Sequence, residues 1–307
     1  MGQPNTPQGW AIRLSQIIKA YHAAHGMEPF PINVAEIASE FSKQVFPEAP
    51  ITMIEGQSFS KKFEGMLVPH PSGNGEWGII YNDSITSKGR INFTLAHELG
   101  HYLMHRYLNS DGIQCTTKDM YKWDSAYGQM EAEANVFASF LLMPLDDFRQ
   151  QIAGEQISMD LMQHLSNRYG VSVSAVILKW LDITDKRAMI VVGKEGFIDW
   201  AWCSKPLMKS GIFYCARQDV VELPALSLAA RNDAAVDNIT GIKHPKGVWL
   251  GDEEVHEMTI LARQGEMTIS LLIYSNDAPN KCVQDDEEPE PFDSFDQFTD
   301  FEKRMNR

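Results

Sequence analysis

Cysteine is scarce in this chain: Cys115, Cys203, Cys215 and Cys282 are the four in 307 residues. They form no C-x-x-C pair and are too few to staple a chain this long, so a disulfide-built scaffold is excluded and reduced thiols are expected. Long apolar runs are missing as well. No stretch approaches the roughly eighteen residues of a membrane span, and no charged-then-apolar leader ends in a small-residue cleavage site. A soluble, cytoplasmic protein is therefore expected. Basic charge is in deficit, with 27 Lys and Arg against 41 Asp and Glu and a net charge of -14, which argues against broad, charge-driven nucleic-acid binding. The opening M-G-Q-P-N-T fits the N-myristoylation pattern formally, but nothing basic follows to support an anchor.

Against this background one stretch concentrates chemistry: F-T-L-A-H-E-L-G-H-Y-L-M-H, from Phe93 to His105. Residues four apart stack on one helix face, so His97 and His101 can reach a single ion with Glu98 beside them over a bound water. The spacing predicts a helix from about Ser87 to His105. Ile91, Leu95, Leu99 and Leu103 form its apolar stripe, and Thr94, His97, Glu98, His101 and His105 the adjacent face. Gly100 weakens such a helix relative to alanine, which suggests that something packs closely there, a strand or a substrate backbone.

A mononuclear catalytic zinc takes three protein ligands and leaves a position for water. The metzincin arrangement needs glycine and histidine where this chain has Met104 and Tyr107, and so it is excluded. The other common solution is a glutamate from a later helix. Met130 to Met143, ended by Pro144, offers Glu131 and Glu133. Glu131 shares a face with Ala134, Asn135, Ala138 and Leu142, where small side chains allow close approach to the first helix. Asn135 could hydrogen-bond a ligating histidine from behind and fix its tautomer, so Glu131 is preferred to Glu133 as the third ligand. His105, a further turn along and about 6 Å beyond His101, is too far to join the same ion. Tyr121, Tyr127 and His105 are the candidates for steadying an oxyanion. The connection from Tyr107 to Gln129 reads as a long loop of the kind that forms lids, and its Cys115 could occupy the fourth metal position and keep an enzyme latent.

The runs L-A-H-E-L-G-H-Y-L-M-H and E-A-E-A-N-V-F-A-S-F-L-L-M-P resemble the ImmA/IrrE family of bacterial zinc metallopeptidases. The resemblance covers about the first half of the chain. It implies a small zincin-like domain, with His97, His101 and Glu131 holding zinc and Glu98 as general base. It further implies a regulated endopeptidase that cleaves a helix-turn-helix repressor in a stress, DNA-damage or phage-related response, with single-stranded DNA or a small molecule as activator. A second functional class, a metal-bound regulatory protein that binds DNA or a partner without cutting, has no need of Glu98.

Around the two metal-bearing helices, Trp10 to His25 reads as an amphipathic helix with Ile12, Ile17, Ile18 and Tyr21 at helical spacing, and Asn33 caps a second helix. Ile51 to Ile54, Phe63 to Val68 and Trp77 to Tyr81 read as strands. Ser158 to Leu181 resembles a helix-turn-helix unit whose second helix, Ser174 to Leu181, has only Lys179 as a cation, so a structural helical pair is expected. Beyond Arg187 the pattern turns to strands, A-M-I-V-V, F-I-D-W-A-W, G-I-F-Y-C-A, G-V-W-L, M-T-I-L-A and M-T-I-S-L-L-I-Y, with a helix over Leu223 to Arg231. Trp200, Trp202, Tyr214 and Trp249 read as core aromatics more than as a binding surface.

The expected architecture is α+β. It comprises a zincin-like metallopeptidase domain at 1–155, a helix-turn-helix-like segment at 156–186, a C-terminal α+β domain at 187–275, which the family resemblance implies is sensor-like and similar to a GAF fold, and an acidic tail at 276–307. The tail reads as disordered, and its Phe292, Phe295, Phe298 and Phe301, every third residue among acidic ones, could dock on a groove.

Overall fold

A computed structural model describes residues 3–59, 63–108, 113–116, 126–214, 220–231, 237, 239–262 and 266–275; at 63, 113–116, 126 and 127 it describes the backbone only. The described residues belong to two compact units. The tail with its phenylalanines lies outside them, as do Cys215 and Cys282. Among the described residues no helix is long and apolar enough to cross a membrane.

The first unit comprises residues up to Gln151 together with Asn167–Ser172. Helix α1, Pro7–Ala24, starts at Thr6, whose hydroxyl accepts from the Gly9 N–H at 3.1 Å, with Pro7 in the first turn where its missing N–H costs nothing. Its buried face is Trp10, Ala11, Leu14, Ser15 and Ile18, whereas Ile12, Ile17 and Tyr21 are 49%, 45% and 55% exposed. Of the four residues read at helical spacing only Ile18 is buried. Trp10, Leu14 and Ile18 make a ridge of four-residue steps, and Ile12 falls about 160° around the helix from Leu14. Helix α2, Val34–Val45, is capped as expected by Asn33.

Strands β1, Ile51–Gln57, β2, Phe63–Pro69, and β3, Trp77–Asn82, follow. β2 and β3 form the antiparallel hairpin, Leu67 opposite Ile79, and β1 runs parallel to β3. Helix α3, Lys88–Met104, packs on β2 and β3. Strand β4, Ile113–Thr116, then pairs antiparallel with β2, giving the order β1-β3-β2-β4. The Tyr107–Gln129 connection is therefore not wholly loop. Helix α4, Ala126–Leu142, packs on α3 and on α1, and Pro144 separates it from α5, Leu145–Ile152. The stretch 167–172 is tied back by Asp147, which accepts from Arg168 at 2.9 and 2.8 Å and from the Tyr169 hydroxyl at 2.6 Å.

Helices α6, Met159–Tyr169, and α7, Val173–Ile183, flank a turn at Gly170, whose φ of +66° suits glycine. Lys179 on α7 is 3% exposed, and burial lowers its pKa to about 8. The single cation of this helix is thus withheld from any phosphate.

The second unit holds a five-stranded antiparallel sheet: β5, Ala188–Lys194, β6, Phe197–Cys203, β7, Ile242–His244, β8, Val255–Ala262, and β9, Met267–Tyr274, in the order β6-β5-β9-β8-β7. Short helices α8, Lys205–Lys209, and α9, Leu228–Arg231, lie between β6 and β7. The helix expected from Leu223 is thus a single turn. Two expected strands are corrected. Residues 211–214 of G-I-F-Y-C-A run from a turn into irregular chain, and G-V-W-L is a turn and bend between Gly247 and Gly251, both at positive φ. Trp249 gives its indole N–H to a side chain instead of entering a ladder. Its burial at 3% places it in the core with Met189, Val191 and Leu272, while Trp200 and Trp202 are half-buried and Tyr214 packs against the core. Cys203 is a buried free thiol whose pKa burial pushes up to about 11, which makes it a packing group.

That acceptor is Glu257, wholly buried on β8. Its Oε2 accepts from Trp249 at 2.8 Å, from His244 Nε2 at 2.7 Å and from the Leu228 N–H at 3.0 Å, and its Oε1 from Ala229 N–H at 3.0 Å and Thr259 at 2.9 Å. A buried carboxylate is tolerated only when saturated in this way. Glu257→Gln turns one acceptor oxygen into a donor facing donors, whichever way the amide lies. We expect it to destabilise this unit by about 3–5 kcal/mol in chemical denaturation, the cost of breaking a buried charged network.

Candidate metal centre

Helix α3 begins at Ser87, whose hydroxyl caps the Arg90 N–H. From Thr94 to Leu103 every residue is buried, because β2 and β3 cover one side of the helix and α4 another. Its last turn is closed by Arg106, whose Nη1 donates to the Tyr102 carbonyl at 2.8 Å. The guanidinium lies 4.0 Å from the Phe46 ring centroid and 4.2 Å from that of Tyr107. A cation at the carbonyl end of a helix, stacked on aromatics, holds that end firmly.

Gly100 sits against α4. A Cβ there would meet Phe137 Cδ1 at 3.0 Å, Ala134 Cα at 3.2 Å and the Ala134 carbonyl at 3.3 Å. The close neighbour is thus the second metal-bearing helix, not a strand or a substrate. Gly100→Ala gains about 1 kcal/mol of helix propensity. It must, however, displace helix backbone one residue from Asn135, and overpacking of this kind costs about 1–3 kcal/mol. We expect a net loss of stability in thermal melts and weaker metal binding.

The approach brings Glu131, Ala134, Asn135 and Ala138 onto α3. His97, His101 and Glu131 each offer one ligand atom within 4.8 Å of the others, and all three are buried. His97 Nε2 and His101 Nε2 stand 3.0 Å apart, and Glu131 places Oε2 3.3 Å from the first and Oε1 3.2 Å from the second. Burial lowers the His101 pKa to about 4 against the pull of Glu131, so this imidazole is neutral at physiological pH. For Glu131, burial works to raise the pKa, but the adjoining His101 and His97 rings outweigh it and hold the carboxyl well below its usual range. An anionic carboxylate and two buried imidazole nitrogens form a donor set for a divalent metal. Ligand bonds of about 2.0–2.2 Å imply tetrahedral edges of roughly 3.3–3.5 Å, close to these separations. The residues fit the ion that the sequence motif implies.

Behind His97, its Nδ1 lies 2.6 Å from Asn135 Oδ1, the contact anticipated from the shared helix face. Glu133 is elsewhere. Its side chain is 51% exposed and reaches His105 Nε2 at 2.9 Å, while His105 Nδ1 lies 2.9 Å from His101 Nδ1. His105 is 3% exposed, and burial lowers its pKa against the opposing pull of Glu133. With both ring nitrogens engaged, His105 is not the oxyanion donor it was a candidate to be. Sequence reasoning missed this contact, although the recurrence of histidine at 97, 101 and 105 marked all three for one face.

Glu98, 1% exposed, lies beneath β2, where a Cβ added to Gly65 would stand 3.1 Å from its Oε1 and 2.5 Å from Thr94 Cγ2. Glycine is what lets this strand lie against the carboxylate. Just beyond it, buried Glu64 pairs with Arg90 in the first turn of α3 through two nitrogens, tying strand to helix. No local signal in the sequence marked that pair. The side chains of Cys115, Tyr121 and Tyr127 lie outside the described residues.

No curated protein matches the chain. Residues 57–181, which include α3, α4 and every residue of the cluster, match the Peptidase_M78 family, described as the IrrE N-terminal-like domain. Over those residues the chain is similar to the IrrE N-terminal-like domain, a likeness of metallopeptidase type that agrees with the resemblance carried by its two motifs.

Proposed function

We propose that the protein is a zinc-dependent endopeptidase of the gluzincin-like H-E-x-x-H type, whose substrate is a helix-turn-helix repressor in a bacterial stress, DNA-damage or phage-related response. The observation that carries the reading is the convergence of Glu131, from α4, on His97 and His101 of α3, the helix that also bears Glu98, with all three buried. His97, His101 and Glu131 would hold the metal. Zinc, when bound, supplies Lewis acidity that makes water a nucleophile near neutral pH and polarises a peptide carbonyl.

The remaining steps belong to side chains of this chain. Glu98 takes a proton from the attacking water and returns it to the leaving amide nitrogen. Asn135 keeps the His97 ring in one orientation through its Nδ1–H. β4, at the edge of its sheet, offers backbone groups to which an extended substrate segment can add as a strand. The strand-rich second unit is the proposed sensor, receiving a small molecule or single-stranded DNA. Cys115 is the proposed reversible fourth ligand.

The test is to load the purified full chain with zinc and incubate it with the helix-turn-helix repressor encoded beside it, with and without single-stranded DNA. Fragments are read by mass spectrometry. A defined cut within the repressor is expected, and an intact repressor under both conditions would sink the substrate assignment.

A further inference from the structure

We propose that Glu133 and His105 form a relay that fixes the proton on His101 Nδ1 and so turns the bare Nε2 of His101 toward the metal. This inference rests on the metal-centre reading above. The contacts run in series: Glu133 Oε2 to His105 Nε2 at 2.9 Å, and His105 Nδ1 to His101 Nδ1 at 2.9 Å.

The direction of each bond follows from donor arithmetic. An ionised carboxylate only accepts, so His105 Nε2 must carry the hydrogen. A neutral imidazole has one N–H, which leaves His105 Nδ1 as an acceptor and obliges His101 Nδ1 to donate. His101 then has no hydrogen on Nε2, the atom 3.2 Å from Glu131 and 3.0 Å from His97 Nε2. Reversed, the chain would place a hydrogen on that nitrogen, in the space a metal must occupy. The two ligating histidines are therefore held by different means. His97 faces the neutral amide of Asn135 directly, whereas His101 is governed through a buried intermediate ring by a carboxylate whose side chain is 51% exposed. Such partners fix the tautomer and raise the basicity of a ligand. Glu133 and His105 are positioning residues, because neither touches the ion or the substrate.

The exposed end of the relay makes it testable without disturbing the core. Zinc dissociation constants are measured by competition with a chromophoric chelator, and cobalt-substituted protein gives a ligand-field spectrum as a second readout. Glu133→Gln can still accept through its amide oxygen and should bind zinc within about threefold of the parent, while Glu133→Leu leaves the His105 tautomer unset. Glu133→Lys can only donate, which favours the reversed chain. Loss should therefore rise from Gln to Leu to Lys within the roughly 10–100-fold range of such partners. The Lys penalty must also travel through His105, so in a His105→Phe background it should shrink to the small effect of distant charge.

Leu and Lys variants that bind zinc as tightly as the parent would overturn the relay, as would a Lys penalty undiminished by His105→Phe. Should His105→Phe fail to fold, the order of the three Glu133 variants, with unchanged cobalt spectra counting against the idea, still decides it. A parent protein that binds no zinc defeats the metal-centre reading itself. Tight parental binding with indifferent variants defeats the relay alone.

Discussion

Glu98→Gln is expected to lower peptide cleavage by about 10²–10⁴-fold, the usual worth of a positioned general acid and base, while zinc content stays at that of the parent. The amide has the shape of the carboxylate and fits the same buried site under Gly65. It cannot take a proton from water or return one to a leaving nitrogen. The ligands His97, His101 and Glu131 are untouched, so metal binding by competition titration and the melting temperature with zinc should both be preserved. Cleavage at the parental rate in this variant would remove Glu98 from the mechanism. Loss of zinc along with activity would show that the substitution damaged the site and not the chemistry alone.

Glu131→Ala should act on the other half of the machinery. It removes the anionic ligand and leaves two buried imidazoles facing each other, so zinc affinity should fall by more than the roughly 10–100-fold that changes behind a ligand cost. The consequence extends to folding. A metal bound only by the native state stabilises it by about 4.1 kcal/mol at a thousandfold excess over Kd. For a unit of roughly 150 residues that corresponds to a rise of about 8–16 °C in melting temperature. Parent protein should show that rise on adding zinc and lose it with a chelator, whereas Glu131→Ala should lose most of it at the same zinc concentration. The full zinc-dependent shift retained in Glu131→Ala would exclude this residue as a ligand and return attention to Glu133, its competitor two residues away.

These two residues mark the boundary of what could be read from the amino-acid order. Glu131 was separable from Glu133 because a helix repeats every 3.6 residues, so a ligand and Asn135, four further on, had to share a face. The same periodicity placed His97, Glu98 and His101, and local capping chemistry marked Asn33 as a helix start. In the second unit the β8–β9 hairpin was legible from its alternation, but the residues between β6 and β7 were not. Gly247 and Gly251 at positive φ turn the chain at G-V-W-L, and Trp249 is drawn to a buried carboxylate that no pattern announced.

The sequence by itself pointed to the candidate chemistry: which helix carries the two histidines, which residue would act as base, and which glutamate would join them. All of these depend on spacing within one helix and on the intrinsic behaviour of imidazole and carboxylate. Only the tertiary structure decided the partners. It joined Glu133 to His105, Glu64 to Arg90 and Glu257 to His244, and it turned α1 so that Trp10 and Leu14 faced inward instead of Ile12. The physical reason is range. Helical periodicity and capping act over a few residues, whereas these pairs lie 13 to 28 positions apart and meet only when packing at sites such as Gly65 and Gly100 brings their elements into contact.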